Sequence, residues 1–224
     1  MGKHTKSKAT QLEDISAETL RDFDTAVFEK YGVVCGIDEA GRGPLAGDVY
    51  AAAVILDPNK PISGLNDSKK LSKKKRELIF DEIVEKAAAY CVGIATVAEI
   101  EQTDILSADL LAMKRAFEGL SKKAGIVLVD GDVLPEIDGI TVRNVIGGDA
   151  KSEAIAAASI LAKVSRDRYM NEQAKLYPEY GFDKHAGYGT KAHYEAIDKH
   201  GACPIHRKSF LKKHFAAKQT DENR

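Results

Sequence analysis

The sequence predicts an α/β fold, a sheet core followed by a helical C-terminal portion, on three observations. Short apolar runs bounded by turn residues recur through the first two-thirds of the chain, at VVCGID, VYAAAVIL, YCVGIATV and IVLVD. Segments with helical apolar spacing interleave with them. Beyond Gly147 helices dominate, and strands mixed with helices that then dominate describe an α/β core with a helical C-terminal portion.

Taken in order, residues 17–30 (AETLRDFDTAVFEK) read as an amphipathic helix, and a short apolar strand starts at Val33 and ends in a carboxylate, Asp38. VYAAAVIL, from Val49 to Leu56, reads as a second strand despite its alanines, because Gly47 and Asp57-Pro58 bound it. Ser72 caps a helix in which Leu78, Ile79, Ile83, Val84 and Ala87 follow helical spacing. Residues 90–97 give a strand, and Ser107 to Leu120 a helix facing inward through Leu110, Leu111, Ala112 and Phe117. IVLVD at 126–130 is a strand that ends in Asp130, followed by a short strand near 141–146. Gly147-Gly148-Asp149 then opens a long alanine-rich helix to about Tyr177, with Asp149 where an N-cap stands. A loop over 178–190, a helix near Lys191 to Lys199 and the basic segment HRKSFLKKHF follow. The polar residues 1–16 read as a frayed tail and 216–224 as a flexible one, leaving a single domain over 17–215.

A chain of 224 residues with 44% hydrophobic content builds one sizeable core. Its net charge of -1 points to no partner in bulk, but the distribution does. Residues 60–76 hold seven basic residues and one acid, and the stretch from Lys184 to Lys218 carries eight Lys/Arg, two acids and five of the six His. Two basic patches on a near-neutral protein fit a local polyanion site. No run approaches the roughly 20 apolar residues of a membrane span, and the N-terminus lacks the apolar core of a secretory signal. Cys35, Cys91 and Cys203 are too few and too scattered for a disulfide framework, which suits a cytoplasmic protein. His200, Cys203 and His206 crowd into one short stretch without a partner pair elsewhere, a poor tetrahedral zinc site.

Acids gather where a sheet makes sites. Asp38 and Glu39 end the first strand, Asp130 ends another and Asp149 starts the long helix, and the carboxyl ends of strands in an α/β sheet converge on one edge. Carboxylates crowded there repel one another unless cations lie between them, and hard divalent ions take oxygen ligands of this kind. Two such ions roughly 4 Å apart activate water and stabilise the departing oxygen of a phosphodiester. Each acid also has a structural reading: Asp149 as a cap, Asp130 before Gly131 as a turn residue. Adjacent side chains of a strand face opposite ways, so Asp38 and Glu39 serve one site only where the pleat breaks, and AGRG is expected to break it. Just before and within the next helix, Asn66, Ser68, Lys69 and Lys73 form a polar, basic stretch suited to a phosphate backbone; the other reading is an exposed lysine-rich turn.

GIDEAGRGPLAGDV, LNDSKKLS, LVDGD, GGDAKSEAIAAASILAKVSRD and KHAGYGT, in that order, resemble the signature blocks of bacterial ribonuclease HII, from about Phe23 to Phe210. The resemblance implies a ribonuclease H-like fold, a mixed sheet flanked by helices, and a Mg²⁺- or Mn²⁺-dependent endoribonuclease using two ions. Its implied substrates are RNA-DNA hybrids and duplex DNA with single embedded ribonucleotides, cut on the 5′ side to leave 3′-hydroxyl and 5′-phosphate ends. Carried onto this chain, Asp38, Glu39, Asp130 and Asp149 are its metal-binding catalytic acids, Gly41, Arg42 and Gly43 its ribose-reading turn, and Tyr188 its substrate-sensing tyrosine. A monomer is expected.

Two other classes compete. A haloacid dehalogenase-type phosphatase needs a second Asp two residues after its nucleophile, and Ala40 holds that position after Asp38. A non-catalytic nucleic-acid binder uses the basic patches but has no use for acids that repel phosphate.

Overall fold

The computed structural model describes residues 18–66 and 68–222, with side chains described through Ala216. The expected N-terminal tail lies outside the described residues. Helix α1 (Leu20–Tyr31) starts on a Thr19/Asp22 capping box and buries Phe23 and Val27. Strands β1 (Val34–Ala40), β2 (Val49–Ile55), β3 (Ala89–Ala95), β4 (Ile126–Asp130) and β5 (Thr141–Val145) form one sheet in the order β3-β2-β1-β4-β5. The β1/β2 and β2/β3 pairs are antiparallel, whereas β1/β4 and β4/β5 are parallel. The sheet is therefore mixed, as the resemblance implies.

Helices cover both faces. On one side α4 (Ile105–Glu118) packs through Ala108, Ala112, Met113 and Ala116 against Cys35, Ile37, Ala51 and Ala53. On the other lies α5 (Glu153–Leu176), with α2 (Lys73–Lys86) beside it. Small side chains let α5 sit directly on the sheet: a Cβ at Gly36 would run into the backbone of Ala154 and Ile155. The helices α3 (Val97–Gln102), α6 (Phe182–His185), α7 (Lys191–His200) and α8 (Lys208–Glu222) complete the chain, so the basic segment at 206–215 is largely helical. No helix among the described residues is long and apolar enough to cross a membrane.

Two expectations are corrected here. The long helix begins at Glu153 and is capped by Ser152, whose hydroxyl accepts from the Ile155 N–H, while Asp149 lies in the preceding 3-10 turn Gly148–Ala150. Asp149 is thus relieved of the cap role. The pleat does not break between Asp38 and Glu39 either: β1 stays paired with β2 through Ala40, and the chain turns only at Gly41, where φ is +106°.

Candidate active site

Topology brings the acids together. Parallel pairing sets Ile37 opposite Val129, so the next residues, Asp38 in β1 and Asp130 at the end of β4, stand side by side. Asp130 also pairs with Val145, after which Gly147, at φ +64°, and the 3-10 turn return Asp149 to the same edge. Carboxylate oxygens of Asp38, Asp130 and Asp149 all lie within 4.8 Å of one another.

Burial sets the electrostatics of this group. Asp38 and Asp149 are buried. Burial, then the neighbouring Glu39 and Asp130, hold the Asp38 carboxyl well above the usual carboxylate range, and a hydrogen bond with Ser159 only partly offsets them. The Glu39 N–H donates to Asp38 Oδ1 at 2.8 Å, and the Gly148 N–H to Asp130 Oδ1 at 2.8 Å. Lys69 Nζ lies 3.6 Å from Asp149 Oδ2. Three close, partly desolvated carboxylates with oxygen donors only fit a hard divalent cation, whose charge would offset their repulsion.

Glu39 is not among those three. On the continuous pleat it faces α4, where Arg42 Nη1 lies 3.5 Å from Glu39 Oε1 and Arg42 Nε 3.4 Å from Asp109 Oδ2. Asp109 is buried, and burial followed by Glu39 pushes its carboxyl up to about 8 against the opposing pull of Arg42.

The Gly-Arg-Gly turn sits beside this edge. A Cβ at Gly41 would strike the Arg166 side chain, and one at Gly43 would meet the ring of Tyr188 at 3.7 Å, so residues from opposite ends of the chain face each other there. Lys73 and Tyr188 line one cleft of about 290 Å³ with Lys163, Asp167 and His185. Asn66, Lys69 and Lys73 are exposed. Ser68 departs from expectation: it is buried, its hydroxyl 2.9 Å from that of Ser159, and so supports Asp38 through Ser159 instead of facing phosphate.

Behind the Tyr188 loop lies a chain of imidazoles. The Cys203 N–H donates to His206 Nδ1 at 2.9 Å, which leaves the ring proton on Nε2 to face His193 Nε2 at 3.0 Å. His193 Nδ1 then donates to the Tyr188 carbonyl at 2.9 Å. Burial lowers both imidazoles to about 4, keeping them neutral. Of the residues weighed for zinc, Cys203 and His206 meet, but through this chain, while His200 sits against Tyr180.

Sequence reasoning missed two residues that shape the site. Arg166 and Arg207, the largest fully buried side chains, both donate to carbonyls of the 41–48 loop. Arg207 was expected on the basic surface, as were His193 and His206; all three are buried. A cation among polar neighbours, Ser165 and Asp167 beside Arg166 or His206 and Lys208 beside Arg207, looks the same in sequence whether it faces water or carbonyls.

Acids converging from neighbouring parallel strands of a mixed, helix-flanked sheet define a metal-binding phosphodiester hydrolase. Comparison with known proteins makes this specific. The family model for Ribonuclease HII matches residues 35–218. A ribonuclease HII of Shewanella pealeana is 59% identical over 179 residues, 80% of this chain and 88% of that protein. One of Idiomarina loihiensis is 57% identical over 178 residues, 80% and 95% of the two chains. The crystal structure of ribonuclease H2 from Pyrococcus horikoshii is similar with a TM-score of 0.66 and 30% identity, covering 79% of this chain and 92% of that one. The chain belongs to the ribonuclease HII family and is a hydrolytic nuclease that depends on divalent metal. Nothing supports the phosphatase or the binding-only reading.

Proposed function

We propose that this protein hydrolyses the RNA strand of RNA-DNA hybrids and cuts duplex DNA on the 5′ side of single embedded ribonucleotides, leaving 3′-hydroxyl and 5′-phosphate ends. The observation that carries this reading is the meeting of Asp38, Asp130 and Asp149 beside a notch formed by Gly43 and Tyr188. Asp38, Asp130 and Asp149 would hold two Mg²⁺ or Mn²⁺ ions, and Glu39, although on the other face of the unbroken pleat, would complete the set by releasing Arg42 and reaching past the end of β4. Ions so held supply Lewis acidity toward the attacking water and the departing 3′ oxygen.

The chain's own residues do the rest. Lys69, Lys73 and Asn66 hold backbone phosphates on the side of Asp149. The turn at Gly41, Arg42 and Gly43 reads the ribose, the only feature that marks RNA at a single residue. Tyr188 lays its ring on the neighbouring sugar and aims its hydroxyl at the 2′ position. Holding that ribose beside the acids places its 5′ phosphate for in-line attack by water. The 2′-hydroxyl flanks the other phosphate, so it is not the nucleophile. The site is built from one chain, which suits a monomer, and three free thiols suit a reducing cytoplasm.

A duplex with one ribonucleotide, incubated with Mg²⁺, Mn²⁺ or EDTA, tests the reading. A single cut 5′ to the ribonucleotide, abolished by EDTA, is expected; a cut on the 3′ side or a 2′,3′-cyclic phosphate end would overturn it.

A further inference from the structure

The guanidinium of Arg207 uses all five of its N–H groups on the backbone that carries Gly-Arg-Gly. Nε donates to the Gly47 carbonyl at 2.9 Å, Nη1 to those of Arg42 and Pro44 at 2.9 Å each, and Nη2 to those of Gly41 and Gly47 at 2.6 Å each. Its position is fixed from both sides. The Arg207 N–H donates to the Leu45 carbonyl at 2.8 Å, Ala46 bridges to His206, and the Phe210 ring lies 5.3 Å from the guanidinium carbon.

These bonds orient peptide planes. The described chain has no cis peptide bonds, and in a trans peptide the C=O and N–H point opposite ways. With the Gly41 and Arg42 carbonyls turned inward onto Arg207, the N–H groups of Arg42 and Gly43 face outward. The Pro44–Leu45 plane, one beyond the Gly43–Pro44 peptide that has no N–H, bears this out: the Pro44 carbonyl goes to Arg207, and the Leu45 N–H, on the far side, reaches the Gly187 carbonyl at 2.8 Å, next to Tyr188. Arg42 and Gly43 are exposed, and neither N–H has an acceptor among the described residues.

We infer that Arg207 is a positioning residue that makes the turn a donor-only reader, holding its carbonyls away so that the Arg42 and Gly43 N–H groups take the ribose 2′ oxygen as acceptor. This rests on the proposed reading of the ribose by that turn. A cation bonded to each carbonyl also polarises the peptide and strengthens the outward N–H as a donor. The proton of the 2′-hydroxyl then goes to a different partner, and Tyr188, across the notch, is placed to receive it. Arg207 never touches substrate.

The test compares wild type with Arg207→Lys, which keeps the charge but has no planar fork to span four carbonyls. Binding of a duplex with one ribonucleotide is measured against the all-DNA duplex in Ca²⁺, so that cleavage does not intrude, together with Mn²⁺ affinity and far-ultraviolet circular dichroism. Arg207→Lys is expected to lose about tenfold of the preference for the ribonucleotide, the scale of one hydrogen bond left unmade, with Mn²⁺ affinity and the spectrum unchanged. An intact preference in the folded variant overturns the inference. A wild type without any preference overturns the ribose reading itself. Should Arg207→Lys not fold, amide exchange in wild type decides: the Arg42 and Gly43 N–H groups should slow when the ribonucleotide duplex replaces the all-DNA one, and unchanged exchange refutes the assignment.

Discussion

The ammonium of Lys69 stands 3.6 Å from Asp149 Oδ2, joining the basic turn before α2 to the acid cluster. The Lys69 side chain is 81% exposed, and an ion pair so open to water adds little stability. Neutralising it by Lys69→Met should leave the melting temperature unchanged. Substrate binding should weaken about equally for all duplex sequences, and the salt dependence should flatten by about one counterion. A wild-type salt slope would return Lys69 to an ordinary solvated turn.

Asp38→Asn, Asp130→Asn and Asp149→Asn should each abolish turnover. Because Ser152 caps α5, Asp149→Asn should do so without loss of stability. Asp38→Asn should go further and raise the melting temperature in EDTA, since it removes a buried charge that Glu39 and Asp130 repel. Equal melting temperatures for Asp38→Asn and wild type in EDTA, or wild-type turnover in Asp130→Asn, would count against the cluster.

Tyr188 is 45% exposed, so its removal should cost little stability. Tyr188→Ala should slow cleavage at a single embedded ribonucleotide by about tenfold or more, the scale of losing stacking and a hydrogen bond together. Tyr188→Phe should retain the stacking share. A folded Ala variant cutting at the wild-type rate would remove Tyr188 from substrate sensing.

The buried imidazoles make a pH prediction. Burial places His193 and His206 at about 4 in the folded chain, against about 6.5 when unfolded. Between these values the two imidazoles bind more protons in the unfolded chain, so their contribution to stability falls as pH drops from about 6.5 toward 4. Asp24, raised to about 6 by burial, and Asp109, raised to about 8, work the other way, losing stability as pH rises through most of that window. A comparison isolates the imidazole share: relative to wild type, His193→Asn should lose less stability, or gain more, as pH drops from about 6.5 toward 4, and an unchanged difference across that range would contradict it.

Much of this was readable in the chain and some of it was not, for physical reasons. The strands that carry Asp38 and Asp130 and the long helix announce themselves because apolar runs and the charges that follow them are local signals. Helix α3 escaped notice because its six residues are too short for a helical period to show. The cap went to Asp149 because it follows two glycines, although Ser152 directly before Glu153 carries a capping signal of its own. Arg166 and Arg207 left no trace, since their partners are main-chain carbonyls far away in sequence. A carbonyl is common to every residue and marks none.

The pairing of β1 with β4 has a consequence for synthesis. A chain emerging from the ribosome presents Asp38 early, beside β2 and β3, but the neighbouring strand with Asp130 and the turn with Asp149 follow only after α4. Arg207, which braces the Gly-Arg-Gly turn, comes out later still. Since a domain generally folds as a unit, a half-made chain that holds Asp38 and Glu39 but lacks Asp130, Asp149 and the brace at Arg207 has no complete site. The catalytic edge is thus complete only after the segment that carries Arg207 has been made, long after the strand that carries its first acid.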